Sequence, residues 1–256
     1  MKLVHSTGFA LLAFFLGFFL ACVVLLLCGV GGVFSIRRTI SSNVFESSAM
    51  PQPLSRVQPD AGIIIANAGT PCLSLRPHLA ILAMEAINSW SNVESFLLHL
   101  YVQLCGGDSS LASKIYLSLE IQTAKTQAIM AAVSSLANQD YQNLIRAIIK
   151  IAGTNKKSRD KLAHHVWGYS THENLSDALL LADPKALLDG RNVDRGEIFV
   201  YRENDFRSII AANDRLCGYG LKIRFILSGH VANRDGHIYV ELCNENEIRE
   251  RLDPRA

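Results

Sequence analysis

Charged side chains are scarce in this chain. Asp, Glu, Lys and Arg make up 19% of its 256 residues, whereas hydrophobic residues make up 49%, and the mean hydropathy is +0.19. This balance excludes a mostly disordered chain, which has low hydrophobicity and high net charge. The composition also excludes a collagen-like chain, and with only 6 cysteines it excludes a disulfide-dense miniprotein. The length allows one good-sized domain or two small ones.

Several sequence motifs of enzymes are missing as well. The chain contains no P-loop, no Gly-x-Gly-x-x-Gly and no Gly-x-Ser-x-Gly, so nothing points to the phosphate loops or nucleophile elbow that those patterns form. A large excess of one charge sign is missing too, because the chain has 25 basic and 23 acidic residues. A general electrostatic attraction to nucleic acid is therefore not expected, and an RNA contact would need a local basic patch.

The cysteines form no Cys-x-x-Cys pair. Outside the apolar segment described next they are Cys72, Cys105, Cys217 and Cys243. We interpret them as reduced thiols, which favours a cytoplasmic body. The histidines His164, His165 and His172 have no carboxylate or cysteine at standard ligand spacing. We therefore predict no metal and no cofactor, and the sequence names no small-molecule substrate.

One long apolar run is present near the start. Gly8 to Phe34 contains 27 residues without a charged side chain, or about 40 Å of helix, and a bilayer core needs about 20 such residues. A signal peptide has a shorter apolar region, and a lipoprotein signal is suggested only by Ala21-Cys22. We predict a permanent single-pass transmembrane helix. Lys2 precedes it and Arg37-Arg38 follow, and the arginine pair favours a cytoplasmic body.

The rest divides into a linker and a helical domain. We predict an N-terminal tail and transmembrane helix over 1–36, a linker over 37–75 and a helical domain over 76–256 with a small β-hairpin insertion near 177–201. The linker is rich in serine and proline, and Ile63-Ile64-Ile65 within it fits a short strand or a docking segment. In the insertion, Ala178 to Ala182 and Glu197 to Tyr201 are expected to pair as a hairpin.

Apolar periodicity predicts the helices. One begins at Arg76, and a capping box at Ser91-Asn92-Val93-Glu94 begins the next, which Gly106-Gly107 end. A long helix from Asp108 or Ser109 to about Ala137 has a packing stripe that includes Leu117 and Ile121. Further helices are predicted at about Asp140 to Ala152, Arg159 to Gly168, Asn204 or Asp205 to Cys217, and Ile238 to Leu252, with Gly153 and the pair Gly218 and Gly220 as breaks. Leu221 to Leu227 fits a helix or a strand.

Arg159-Asp160 followed by His164 is the one constellation that carries chemistry. On a helix, Asp160 and His164 are four residues apart and share a face, so the carboxylate could orient the imidazole for acid–base work. Arg159, in the first turn of such a helix, could hold a phosphate with the help of the helix N-terminus. His165 also fits the spacing, as does the pair Arg224 and His230. An Asp–His pair beside an arginine is equally a good structural helix start.

The spacing Arg-x4-His, with Asp160 directly after the arginine, resembles the motif of the HEPN superfamily. The resemblance covers roughly Arg76 to Gly168. It implies a helical bundle that forms a homodimer with the motif at the interface. Many members are metal-independent RNases, and others only bind nucleotides, RNA or proteins. The resemblance implies catalytic roles for Arg159, Asp160 and His164, or His165.

Two classes of function follow from the sequence. The first is a membrane-anchored, non-catalytic HEPN-like interaction or scaffold domain whose helical faces mediate dimerisation. The alternative is a membrane-tethered, metal-independent endoribonuclease. The expected partners are the membrane through residues 8–34 and a second copy of the chain, with RNA as a partner of the alternative.

Overall fold

The computed structural model describes residues 50–65, 72–187, 194–229 and 236–252. Within these ranges the chain is mainly helical with one small antiparallel sheet, which confirms the predicted fold class at that level. The predicted transmembrane segment, residues 8–34, lies outside the described residues. None of the helices in the described ranges is both long and apolar enough to cross a bilayer.

The helices and strands are numbered here in chain order. The helices are α1 (Leu54–Val57), α2 (Pro77–Cys105), α3 (Ser109–Ser118), α4 (Gln122–Ser134), α5 (Gln139–His164), α6 (Glu203–Leu227), α7 (His237–Asn244) and α8 (Asn246–Leu252). The strands are β1 (Gln52–Pro53), β2 (Ile63–Ile65), β3 (Val166–Ser170), β4 (Leu179–Ala182) and β5 (Ile198–Tyr201).

Helix α2 is one continuous element. Pro77 occupies its first turn, where a missing N–H costs nothing, and Gly106 ends it in the left-handed conformation with φ 64°. The predicted new start at Ser91 is wrong. Buried residues continue from Leu79 to Leu100 without a break, so no new helix starts there. The Glu94 carboxylate accepts a hydrogen bond from Trp90 Nε1 at 3.0 Å instead of capping a helix.

Helices α3 and α4 replace the single helix predicted from residue 109 to 137. Asp108, one of the two predicted caps, caps α3, since its Oδ1 accepts hydrogen bonds from the amides of Ser110 and Leu111. The chain then leaves the helix at Leu119, whose backbone is extended with φ −78° and ψ 109°. This break contains neither glycine nor proline.

Helix α5 runs through the predicted break at Gly153. Asn138 caps it by accepting hydrogen bonds from the amides of Asp140 and Tyr141. A glycine inside a helix costs only about 1 kcal/mol, and buried residues on both sides, from Leu144 to Leu162, hold the helix together. The predicted short helix from Arg159 to Gly168 is therefore wrong at both ends. Arg159 lies inside α5, which begins at Gln139, and residues 166–170 form β3.

The sheet has the strand order β1-β5-β4-β3-β2 in the described residues, and each neighbouring pair is antiparallel. The predicted pairing of β4 with β5 is confirmed, with Leu180 opposite Val200. The sheet is larger than the predicted hairpin, because β3 pairs with β4 and both β1 and β2 come from residues 50–65. That part of the predicted linker thus belongs to the folded body, and Ile63–Ile65 is a strand.

Both faces of the sheet are covered, and β4 is buried along its whole length. Its alternate side chains divide between two clusters, as the period of two in a strand requires. Leu179 and Leu181 pack with Phe206 of α6 and with the first turns of α2. Leu180 and Ala182 pack with Leu54 of α1. A third, larger cluster joins all the helices from α2 to α8.

Helix α6 extends beyond both glycines that were predicted to interrupt it. A Cβ atom added to Gly220 would lie 2.3 Å from Cδ2 of Phe96 on α2, so the glycine permits close packing of α6 against α2. Residues 221–227 therefore continue the helix. The C-terminal segment is helical as predicted, in two short pieces that are joined at Glu245.

Candidate functional site

The predicted motif lies at the end of α5. Arg159 and Asp160 are in its last turns, His164 is its last residue, and His165 is the C-terminal cap with an extended backbone. The helix begins at Gln139, so the expected support of a phosphate at Arg159 by a helix N-terminus is wrong. The carbonyl end of the helix lies here instead, and it carries partial negative charge.

The Asp160 carboxylate is paired with two cations of its own helix. Lys156 Nζ donates to Oδ2, and Arg159 Nη1 donates to Oδ1 at 3.2 Å. Burial raises the pKa of Asp160, but the bonds to Lys156 and Arg159 outweigh it and hold the pKa below its usual value. The bonds that the described residues make to Asp160 are thus to Lys156 and Arg159, and not to His164.

The two histidines at the end of α5 differ in environment. His164 is exposed and His165 is half-buried. Nδ1 of His165 and Nε of Arg159 are buried without a hydrogen-bond partner among the described residues. Burial lowers the pKa of His165, helped by the charges of Lys161 and His164 and opposed by Asp183 and Glu197. Arg159 and His164 therefore lie at the same end of α5, but Asp160 bonds to Arg159 and not to His164. His230, of the second spacing match, lies outside the described residues.

The histidines do not form a metal centre in the described ranges, which contain no suitable group of three His, Cys, Asp or Glu side chains. His172 contacts the Gln58 amide at 3.3 Å and accepts a hydrogen bond from the amide of Asn174. All four cysteines of the body are free thiols.

Helix α3 and the turn after it expose four large apolar side chains, which are together called the α3 face here. Its members have between 46% and 69% of their surface exposed and are Leu111, Ile115, Leu117 and Ile121. Ala112 and Tyr116 of α3 are buried. Leu117 and Ile121 were predicted to pack inside the bundle. They do not, because Leu117 lies on the exposed side of α3 and Ile121 is the N-cap of α4, after the break at Leu119.

Sequence reasoning also missed a cleft of about 490 Å³ beside α5. Residues 50–53 form one side of it, α5 a second, and β5 with α6 the rest. On α5 its lining residues recur at helical spacing and are Thr154, Asn155, Lys157, Ser158 and Lys161. That spacing was present in the sequence, but the predicted break at Gly153 separated it from the helix that carries it.

Comparison with protein-family models, with curated proteins and with solved structures finds no match to this chain.

Proposed function

We propose that this protein is a membrane-anchored, non-catalytic interaction module of HEPN-like type, whose helical body pairs with a second copy through the α3 face. The observation that carries the proposal is the exposure of Leu111, Ile115, Leu117 and Ile121 in a stretch of eleven residues. Apolar surface in water is unfavourable in proportion to its area, and four large exposed apolar side chains in so short a segment offer surface for a partner to cover.

A second copy fits the α3 face because of where its charges lie. Lys114 is the only charged residue of α3, and Glu120 follows in the turn, on either side of Leu117. Both are exposed, and no salt bridge involves them in the described part of the chain. A two-fold axis near Leu117 brings Lys114 of one copy to Glu120 of the other, and such an interface is self-complementary.

The membrane segment supports pairing through concentration. Residues 8–34 are long and apolar enough to hold the chain in a bilayer. Two anchored copies meet at a far higher effective concentration than two free copies, so a small interface suffices.

We expect the full chain to remain in the membrane pellet after alkaline extraction. A reporter fused to each end tests the proposed cytoplasmic position of the body.

Zero-length carbodiimide crosslinking of the full chain in membranes tests the pairing. In a mixture of ¹⁴N- and ¹⁵N-labelled protein, we expect Lys114–Glu120 crosslinks between a light and a heavy copy. The K114E variant should lose them, and the double variant K114E/E120K should regain them. Crosslinks within single copies only, or no difference between K114E and the double variant, would exclude this interface.

The endoribonuclease alternative rests on the exposure of His164 beside Arg159 at the end of α5. The engagement of Asp160 by Lys156 and Arg159 favours the non-catalytic proposal, because it removes the carboxylate that was expected to orient His164. RNA cleavage by the full chain separates the two. We expect the wild type, His164→Ala and Arg159→Ala to share the same background. Cleavage that both substitutions abolish would establish the nuclease instead.

A further inference from the structure

The cleft beside α5 combines features of a ligand site. Its volume of about 490 Å³ lies in the range of small-molecule pockets. Its lining combines an apolar wall with polar groups and includes Asn155, Lys157, Lys161, Phe199, Ile209 and Asn213.

The polar floor of the cleft is fixed by a chain of hydrogen bonds. Asn213 is fully buried. Its Oδ1 accepts a bond from Asn155 Nδ2 at 3.3 Å, and its Nδ2 donates to Ser89 Oγ at 2.8 Å. Ser89 Oγ in turn donates to the carbonyl of Ala86 at 2.9 Å. A buried network in which each amide has a partner holds its side chains in one arrangement, so the floor is preorganised.

The rim of the cleft is positively charged. Lys157 and Lys161 are one helical turn apart on α5, and neither forms a salt bridge within the described ranges. Asp205, the one carboxylate among the described residues that line the cleft, accepts a hydrogen bond from the amide of Arg202 at 2.7 Å and thereby caps α6. Lys161 Nζ instead lies 4.3 Å from the ring centroid of Phe199. Two lysines on a partly enclosed surface attract an anion.

The apolar wall completes the site. Phe199 is half-buried, and Ile209 of α6 lines the same cleft. A flat ring can therefore contact Phe199 and Ile209 while an acidic group reaches the lysines.

We propose that this cleft binds a small organic anion, a carboxylate or a phosphate ester with a flat apolar body, whose acidic group contacts Lys157 and Lys161 and whose body packs on Phe199 and Ile209. The site is separate from the α3 face, and its occupancy does not depend on pairing.

Calorimetric titration of the full chain in lipid nanodiscs tests the proposal, with empty nanodiscs as the blank. The probes are 2-naphthoate, phenyl phosphate and the uncharged 2-naphthamide, which keeps the ring of the first probe. We expect saturable binding of the two anions and binding of the amide at least about tenfold weaker, because a charge-assisted contact contributes about one to two factors of ten.

Variants locate the binding. We expect Lys157→Met and Lys161→Met each to weaken 2-naphthoate binding by about fivefold or more, and Ala212→Leu, which fills the cleft, to abolish it. Lys185→Met removes the same charge from an exposed position outside the cleft and should stay within twofold of the wild type. Thermal unfolding verifies that each variant is folded. Absence of saturable anion binding, equal binding of the amide, or equal effects of Lys161→Met and Lys185→Met would overturn the proposal.

Discussion

Asp160 stabilises the end of α5 through its pairing with Lys156 and Arg159. We expect Asp160→Asn to lower the free energy of unfolding at pH 7 by about 0.5–1 kcal/mol, as for a partly exposed pair, and the melting temperature by about 1–4 °C. The control Asp214→Asn changes an exposed acid of α6 that forms no salt bridge with the described residues and should leave the melting temperature nearly unchanged.

The same pairing fixes the pH dependence of that effect. The folded pKa of Asp160 lies below its unfolded value, which is about 4. The stabilisation is therefore present above the unfolded pKa and disappears as pH falls through the folded pKa. Melting temperatures of the wild type and Asp160→Asn should converge in strong acid. A constant difference from pH 7 down to pH 2 would contradict this account.

His165 should make stability depend on pH in the weakly acidic range. Burial lowers its folded pKa, so the unfolded chain binds the proton more readily and stability is lost as pH falls below the unfolded pKa of about 6.5. We expect His165→Gln to flatten the change of melting temperature between about pH 5 and 7. Equal slopes for wild type and His165→Gln would refute the assignment.

At the scale of elements, Gly218 and Gly220 provide a matched pair. An added Cβ at Gly218 meets open space, whereas at Gly220 it meets the Phe96 ring at 2.3 Å. We expect Gly218→Ala to stabilise the protein by about 0.5–1 kcal/mol through helix propensity. Gly220→Ala should destabilise it by about 1–3 kcal/mol through overpacking between α2 and α6. Chemical denaturation measures both, and effects of the same sign would show that α2 and α6 do not pack closely there.

Local sequence signals predicted structural elements correctly where tertiary packing did not override them. The cap at Asp108, the end of α2 at Gly106 and the pairing of β4 with β5 all follow from a few neighbouring residues. The errors arose where packing overrides a local signal. Gly153 and Gly220 were predicted to break helices, but the buried residues around them keep those helices continuous, and only the fold shows that Gly220 faces Phe96.

The candidate sites were less predictable because they depend on register and on distant segments. The break at Leu119 has no local marker, yet it ends the single helix on which Leu117 and Ile121 were predicted to share a packing stripe. Lys157 and Lys161 were visible in the sequence, but their cleft needs β5, α6 and residues 50–53, which only the fold brings to α5. Arg159, Asp160 and His164 lie on one helix, as predicted for the motif, but Lys156, which pairs with Asp160 together with Arg159, was overlooked.

For the whole molecule, the central claim is pairing through the α3 face. Burial of a Leu or Ile side chain contributes about 1.5–3 kcal/mol, so two lysine substitutions there should weaken pairing by about a hundredfold or more. The matched control places the same substitutions on α2, where Ile81 and Met84 are also exposed, at 60% and 61%.

Energy transfer between donor-labelled and acceptor-labelled full chains in lipid vesicles, over a range of protein-to-lipid ratios, measures this directly. The account predicts a concentration-dependent dimer for the wild type and for I81K/M84K, and a monomer for L117K/I121K over the same range. A wild-type chain that stays monomeric would contradict it. So would an L117K/I121K variant that pairs as strongly as I81K/M84K.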